Sequence, residues 1–145
     1  MILSADTNLF LYAANPDSLH HEAARRFFEE EAAGGPRFLL CGLVLVEIYM
    51  QLRNPAVFKR PKSAREATLF CDALRGNPTW EHGDYEPDVA KPLWMWAAKT
   101  TTGFRHIIDA RLAFTLRHHN VTHFATANVA HFEGFGFEKV WSPLG

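Results

Sequence analysis

The sequence predicts an α/β domain: a largely parallel central sheet with helices on both faces. Three observations carry this. Short apolar runs alternate with longer segments of helical periodicity, Gly, Pro and Asn clusters fall between them, and a chain of 145 residues that is 48% apolar suits one ordinary globular domain. No internal repeat, low-complexity tract or Gly/Ser/Pro linker divides it, so residues 1–145 read as a single domain.

Each element has its own local signal. Ile2 to Ala5 is a short apolar strand that stops at Asp6-Thr7-Asn8, where Thr7 or Asn8 can cap a helix. Leu9 to Ala14 is helix-compatible and is broken by Asn15-Pro16-Asp17. Ser18 to Ala33 reads as a helix whose apolar positions Leu19, Ala23 and Phe27 recur every fourth residue, and Gly34-Gly35-Pro36 ends it. Phe38 to Cys41 is a second buried strand, followed by a mostly apolar helix from Gly42 to Arg53. Ser63 to Leu74 is an amphipathic helix capped by Ser63, and Thr79 to His82 a short strand. Asp88 to Lys99 and Arg105 to His118 read as helices, and Thr122 to Thr126 and Phe137 to Trp141 as the last strands.

Composition narrows the function classes. The longest apolar run, Phe38 to Val46, is shorter than the about 20 residues that span a bilayer. The first six residues reach a carboxylate without a basic n-region, which is not the pattern of a signal peptide. Cys41 and Cys71 match no metal or redox spacing, as expected of reduced thiols in a cytoplasmic protein. A net charge of −1 excludes a uniformly basic nucleic-acid binder but leaves room for a local basic patch.

Three carboxylates interrupt apolar surroundings. Asp6 is the only charge among the first sixteen residues and follows a buried strand. Glu47 is the only charge between Phe38 and Leu52, on one helical face with Leu43, Val44 and Met50. Asp109 shares a face with Leu112, Ala113 and Leu116. Buried carboxylates need a partner, a hydrogen bond or a metal. Taken singly, Asp6 also suits a helix cap, Glu47 a partner of an arginine, and Asp109 the favourable N-terminal end of its helix. Their common placement near the carboxyl ends of strands, where open parallel sheets bind ligands, favours convergence. Clustered carboxylates require a cation, and an all-oxygen set suits Mg²⁺, with Mn²⁺ as the variant. Phosphodiester hydrolysis is the chemistry such a site supports most naturally.

The order of motifs resembles the PIN-domain ribonucleases, specifically the VapC toxins of type II toxin–antitoxin systems. The resemblance runs through Ile2-Leu3-Ser4-Ala5-Asp6-Thr7-Asn8-Leu9-Phe10, the lone Glu47, His106-Ile107-Ile108-Asp109-Ala110-Arg111-Leu112-Ala113, and Ala125-Thr126-Ala127-Asn128. It implies that Asp6, Glu47 and Asp109 are catalytic and hold Mg²⁺, that RNA is the substrate, and that the partners are a VapB-like antitoxin and a second copy in a homodimer. The chain departs from the family at Asn128 and His131, where many PIN domains carry an Asp and a further Asp or Asn. Asn128 offers a carbonyl oxygen but no charge, so one firmly held ion is expected, with a second entering with substrate if at all. Thr126 is a candidate to position a water or a carboxylate.

The interval from Arg53 to Arg65 holds Arg53, Lys59, Arg60, Lys62 and Arg65 without an acid, as an RNA backbone beside an acidic cleft requires. Glu81, Asp84, Glu86 and Asp88 are expected to face water or a basic partner. His106, one turn before Asp109, is placed to bond that carboxylate or to touch substrate, whereas His20, His21, His118 and His119 read as surface or helix-end residues. Trp80, Trp94, Trp96 and Phe104 read mostly as core, with any exposed subset suited to a dimer or partner surface. The main rival function is a non-catalytic PIN-like module that binds RNA or protein. A small-molecule phosphohydrolase is disfavoured by the lack of an Asp-x-Asp pair at Asp6 and of a glycine-rich phosphate loop.

Overall fold

A computed structural model describes residues 1–145. Five strands, β1 (Ile2–Ala5), β2 (Arg37–Cys41), β3 (Trp80–Gly83), β4 (His123–Ala125) and β5 (Lys139–Trp141), form one sheet in the order β3-β2-β1-β4-β5. Every neighbouring pair is parallel. Six α-helices connect and flank them: α1 (Thr7–Ala14), α2 (His21–Arg26), α3 (Gly42–Leu52), α4 (Ala64–Arg75), α5 (Pro87–Lys99) and α6 (His106–His118). None is long and apolar enough to cross a membrane. The predicted α/β class is therefore observed, with a sheet that is wholly parallel.

The topology locates the ligand site. The chain starts in the middle of the sheet, winds outward through β2 and β3, then returns to β1 and winds the other way through β4 and β5. The winding reverses between β1 and β4, and the crevice outside the carboxyl ends of strands at such a reversal is where open α/β sheets bind ligands. Asp6 and Thr126 immediately follow β1 and β4. The ladder continues into both, since Asp6 N–H donates to Ala125 O at 2.9 Å and Thr126 N–H to Trp141 O at 2.9 Å.

Packing holds this edge from below. Phe10, Phe28, Phe38 and Trp80 bring α1, the turn after α2, β2 and β3 together, with ring centroids 4.5 Å apart for Phe38 and Trp80 and 4.6 Å for Phe10 and Phe28. Phe124 on β4 is fully buried, 4.8 Å from Phe132 and 5.5 Å from Phe137. Phe132 ends the 3₁₀ turn Val129–Phe132 that follows Asn128, so this contact fixes the loop beyond the site. Ser63 caps α4 through a reciprocal pair of bonds with Glu66, as its hydroxyl predicts.

Several expectations change. The segment 18–33 is not one helix. Ser18 Oγ accepts from His20 N–H and Asn15 Oδ1 from Asp17 N–H, and these local bonds divert the backbone so that α2 starts at His21. Leu19 is consequently 99% exposed rather than part of an apolar stripe. A π-helical turn, Phe27–Glu31, follows α2, burying Phe27 while Phe28 packs on Phe10. Of the three candidate caps of α1, the structure uses Asp6 and not Thr7 or Asn8. Trp94 and Phe104 are 60% and 87% exposed, whereas Trp80 packs against the core and Trp96 is partly covered by His106 and Phe135. The acidic stretch does face water, with Asp84, Glu86 and Asp88 exposed, and in addition Glu81 is bound by Arg37 across the strand pair and Glu86 by His118.

Removing the Phe124 ring should cost about 3–5 kcal/mol, the usual range for a buried Phe→Ala change. Urea unfolding of Phe124→Ala checks this.

Candidate active site

Asp6 is the anchor. It is only 7% exposed, and both of its oxygens are engaged: Oδ1 accepts from Thr7 N–H at 2.8 Å, and Oδ2 from Thr126 Oγ1 at 2.7 Å. Thr126 is completely buried, and its Oγ1 also accepts Asn128 N–H at 3.0 Å. One hydroxyl thus orders the carboxylate after β1 and the chain after β4. Asn8 Oδ1, 3.3 Å from Ala127 N, makes a second tie across the same gap. Burial pushes the Asp6 carboxyl up to about 6; the bonds from Thr126 and Thr7 oppose the rise, and the negative charges of Glu47 and Asp109 add to it.

Glu47 comes from α3, whose buried face is Val44, Ile48 and Leu52. The expected face with Met50 is not the core face: Glu47 and Met50 are both exposed, because a residue one position before Ile48 lies at the edge of that stripe. Glu47 nevertheless turns to the site, its Oε2 accepting from the buried Thr7 hydroxyl at 3.0 Å. Asp109 lies in the first turn of α6, half-buried above Leu112, Ala113 and Leu116, with its apolar stripe as expected. His131 Nδ1 stands 3.3 Å from its Oδ2.

Asp6, Glu47, Asp109 and Asn128 line one cavity of about 350 Å³ together with Thr7, Asn8, Gln51 and Arg111. The predicted convergence is therefore observed. The convergence is loose, however: no three Asp, Glu, His or Cys side chains stand close enough to enclose an ion unaided. Like charges repel, and one Glu47 oxygen is engaged by the Thr7 hydroxyl.

His106 does not bond Asp109. Its Nδ1 lies 2.8 Å from Thr102 Oγ1 and its Nε2 2.8 Å from His131 O, so it straps the 3₁₀ turn to the start of α6. The histidine beside Asp109 is instead His131, a contact the sequence hides because 21 residues, a strand among them, separate the two. Thr7, in the sequence a cap candidate, instead links the neighbourhood of Asp6 to Glu47 through its hydroxyl. The basic interval borders the cavity through Val57, which lines it. Lys59, Arg60 and Lys62 line a separate hollow of about 510 Å³. Arg53 lies over the Tyr49 ring, and Arg65 is exposed near the start of α4.

An all-parallel sheet wound in this order, with acidic side chains gathered at the reversal, is the PIN-domain fold. No family model matches the chain. It is 45% identical over 143 residues to Ribonuclease VapC24 of Mycobacterium tuberculosis, an alignment covering 99% of this chain and 97% of that one. Among solved structures, it is similar to Mycobacterium tuberculosis VapC20, a sarcin-ricin loop cleaving toxin, with a TM-score of 0.64, 17% identity, and 84% and 86% of the two chains covered. It is also similar to VapBC2 from Rickettsia felis bound to a promoter DNA fragment, with a TM-score of 0.66, 15% identity and 98% of each chain covered. The chain belongs to the VapC ribonuclease family.

The raised Asp6 value has a stability consequence. The native state keeps a proton that the unfolded chain releases at 3.8, so this group's contribution is most favourable below about pH 4 and is lost as pH rises toward about 6. In EDTA, Asp6→Asn should flatten that slope between about pH 4 and pH 6, because the titrating group is gone. Urea unfolding across that range is the check. Thr126→Val takes away the hydroxyl that holds Asp6 Oδ2 and the Asn128 backbone, and should cost about 1–3 kcal/mol, the penalty for leaving a buried polar group unpaired. The same urea titration measures it.

Proposed function

We propose that this chain, with residues 1–145 acting as one domain, is a Mg²⁺-dependent endoribonuclease and the toxin of a VapBC-type toxin–antitoxin pair. The observation that carries the metal dependence is Asp6: a carboxylate kept inside at an energetic cost, sharing a cavity with two more carboxylates and ion-paired to no basic side chain. The donor set fits Mg²⁺. It is entirely oxygen, from Asp6, Glu47, Asp109 and the Asn128 carbonyl, and its looseness suits an ion that keeps several of its own waters and takes few protein ligands. Mn²⁺ fits the same donors.

When bound, Mg²⁺ supplies a Lewis acid for the phosphate oxygens and a water of lowered pKa. The chain's own groups do the rest. Asp6 and Asp109 hold the ion's place, the first rigidly through Thr126 and Thr7, the second beside His131. Glu47, exposed and steadied at Oε2 by Thr7, has Oε1 free to bind the ion or to take a proton from the attacking water. The water oxygen bonds to phosphorus, the P–O3′ bond breaks, and the 3′ oxygen is protonated by solvent, leaving a 5′-phosphate and a 3′-hydroxyl. Arg53, Lys59, Arg60, Lys62 and Arg65 bind the RNA backbone along the flank of the cavity.

The proposed partners are an RNA substrate, a VapB-like antitoxin that blocks the cavity, and a second copy of the chain in a homodimer. The Rickettsia felis VapBC2 neighbour supports the antitoxin. Two free, buried cysteines, Cys41 and Cys71, suit action in the reducing cytoplasm.

In Mg²⁺ the protein should cleave RNA to 5′-phosphate ends. EDTA should abolish this, and Asp6→Ala should lower the rate by about 100-fold or more. RNA left equally intact by the wild type and Asp6→Ala would refute the nuclease reading and favour a binding module.

A further inference from the structure

Arg111 has no role in this account, yet it lines the same cavity as the three carboxylates. It lies on α6 two residues after Asp109 and is only partly exposed. Its Nε is the one buried side-chain nitrogen or oxygen in the chain without a hydrogen-bond partner. Arginines that have acids nearby elsewhere use them: Arg25, Arg37 and Arg75 all sit in ion pairs on the open surface. Arg111 faces a cavity with three carboxylates and pairs with none of them. A partly buried guanidinium that spends its charge on none of these acids leaves that charge to an acceptor from outside.

We propose that Arg111 is a substrate-binding residue whose guanidinium grips a phosphate of the RNA strand at the cleavage site. The inference rests on the ribonuclease reading above. A phosphodiester has two non-bridging oxygens. One faces the acidic, metal-holding wall of Asp6, Glu47 and Asp109, and the planar fork of Arg111 suits the other. As water adds, negative charge grows on both oxygens, and a fixed guanidinium answers the one the carboxylate wall cannot. The absence of an internal ion pair follows the same reasoning: pairing with Glu47 or Asp109 would cancel both the anion grip and the metal ligand.

The test uses the full chain as wild type, Arg111→Met and Arg111→Lys. A fluorescein-labelled single-stranded RNA is titrated with Ca²⁺ in place of Mg²⁺ across a range of salt, and thermal melting is recorded alongside. Arg111→Met should bind about 10-fold more weakly, and its slope of log affinity against log salt should shrink by about 0.7, the value of one lost phosphate contact on a single strand. Its melting temperature should equal or exceed that of the wild type, because an unpartnered polar group has been replaced by an apolar one of similar length. A role confined to packing would lower the melting temperature and leave the salt slope unchanged, which would overturn the proposal. Arg111→Lys should keep the slope and lose affinity; if the Met variant fails to fold, wild-type affinity and kcat/KM in the Lys variant would overturn it. Unchanged RNA binding with weakened antitoxin binding would assign the guanidinium to the inhibitor and also overturn it. A wild type that neither binds nor cleaves RNA would refute the ribonuclease reading itself, whereas full activity in both variants would refute only the role of Arg111.

Discussion

The hydrogen bond from Thr126 Oγ1 to Asp6 Oδ2 joins the two strand ends at which the sheet reverses direction. Both partners are buried, so the bond is made away from competing water, and leaving either group unpaired there would be expensive. The rest of the site hangs from it. Asp6 takes Thr7 N–H and so begins α1; the Thr7 hydroxyl then reaches Glu47 on α3; and Thr126 holds the Asn128 backbone, which leads into the turn carrying His131 beside Asp109. Four elements distant in sequence are set by a chain of short bonds that starts at one threonine.

That arrangement works against stability. A carboxylate taken from water with two others facing the same cavity is an unfavourable component for the protein alone, which its raised proton affinity records. Phe124, Phe132 and Phe137 under β4, and the Phe10, Phe28, Phe38 and Trp80 cluster under β1 to β3, supply the offsetting packing. Strain of this kind concentrates at sites meant to hold something, and an arginine with an unused buried donor in the same cavity follows the same logic.

The net charge of −1 hides this partition. Acids gather in the cavity, the acids at 81 and 86 are met by Arg37 and His118, and the basic side chains of the interval after α3 enter no ion pair. A divalent cation among the carboxylates, as proposed, would move the local sign toward what a phosphate accepts. Total charge is a poor guide to a protein whose charges are sorted in space.

The strands, five of the six helices, the Ser63 cap and the three site carboxylates were all legible in the sequence. These depend on local physics: apolar runs that must be buried, periodicity that selects a face, breakers that end an element, and charges that stand out against apolar neighbours. Where local signals competed, the sequence misled. Ser18 and Asn15 drew the backbone into turns ahead of α2, and Glu47 belonged to the edge of its helix rather than its buried face. The tertiary structure alone decided which groups meet. His106 and His131 are close to Asp109 by different routes, yet only the second touches it, and nothing in the spacing of the chain shows that Arg111 stands unpaired among acids. Contacts between residues far apart in sequence follow from strand order and from the direction each side chain takes after packing. Neither is written in the neighbourhood of the residues concerned.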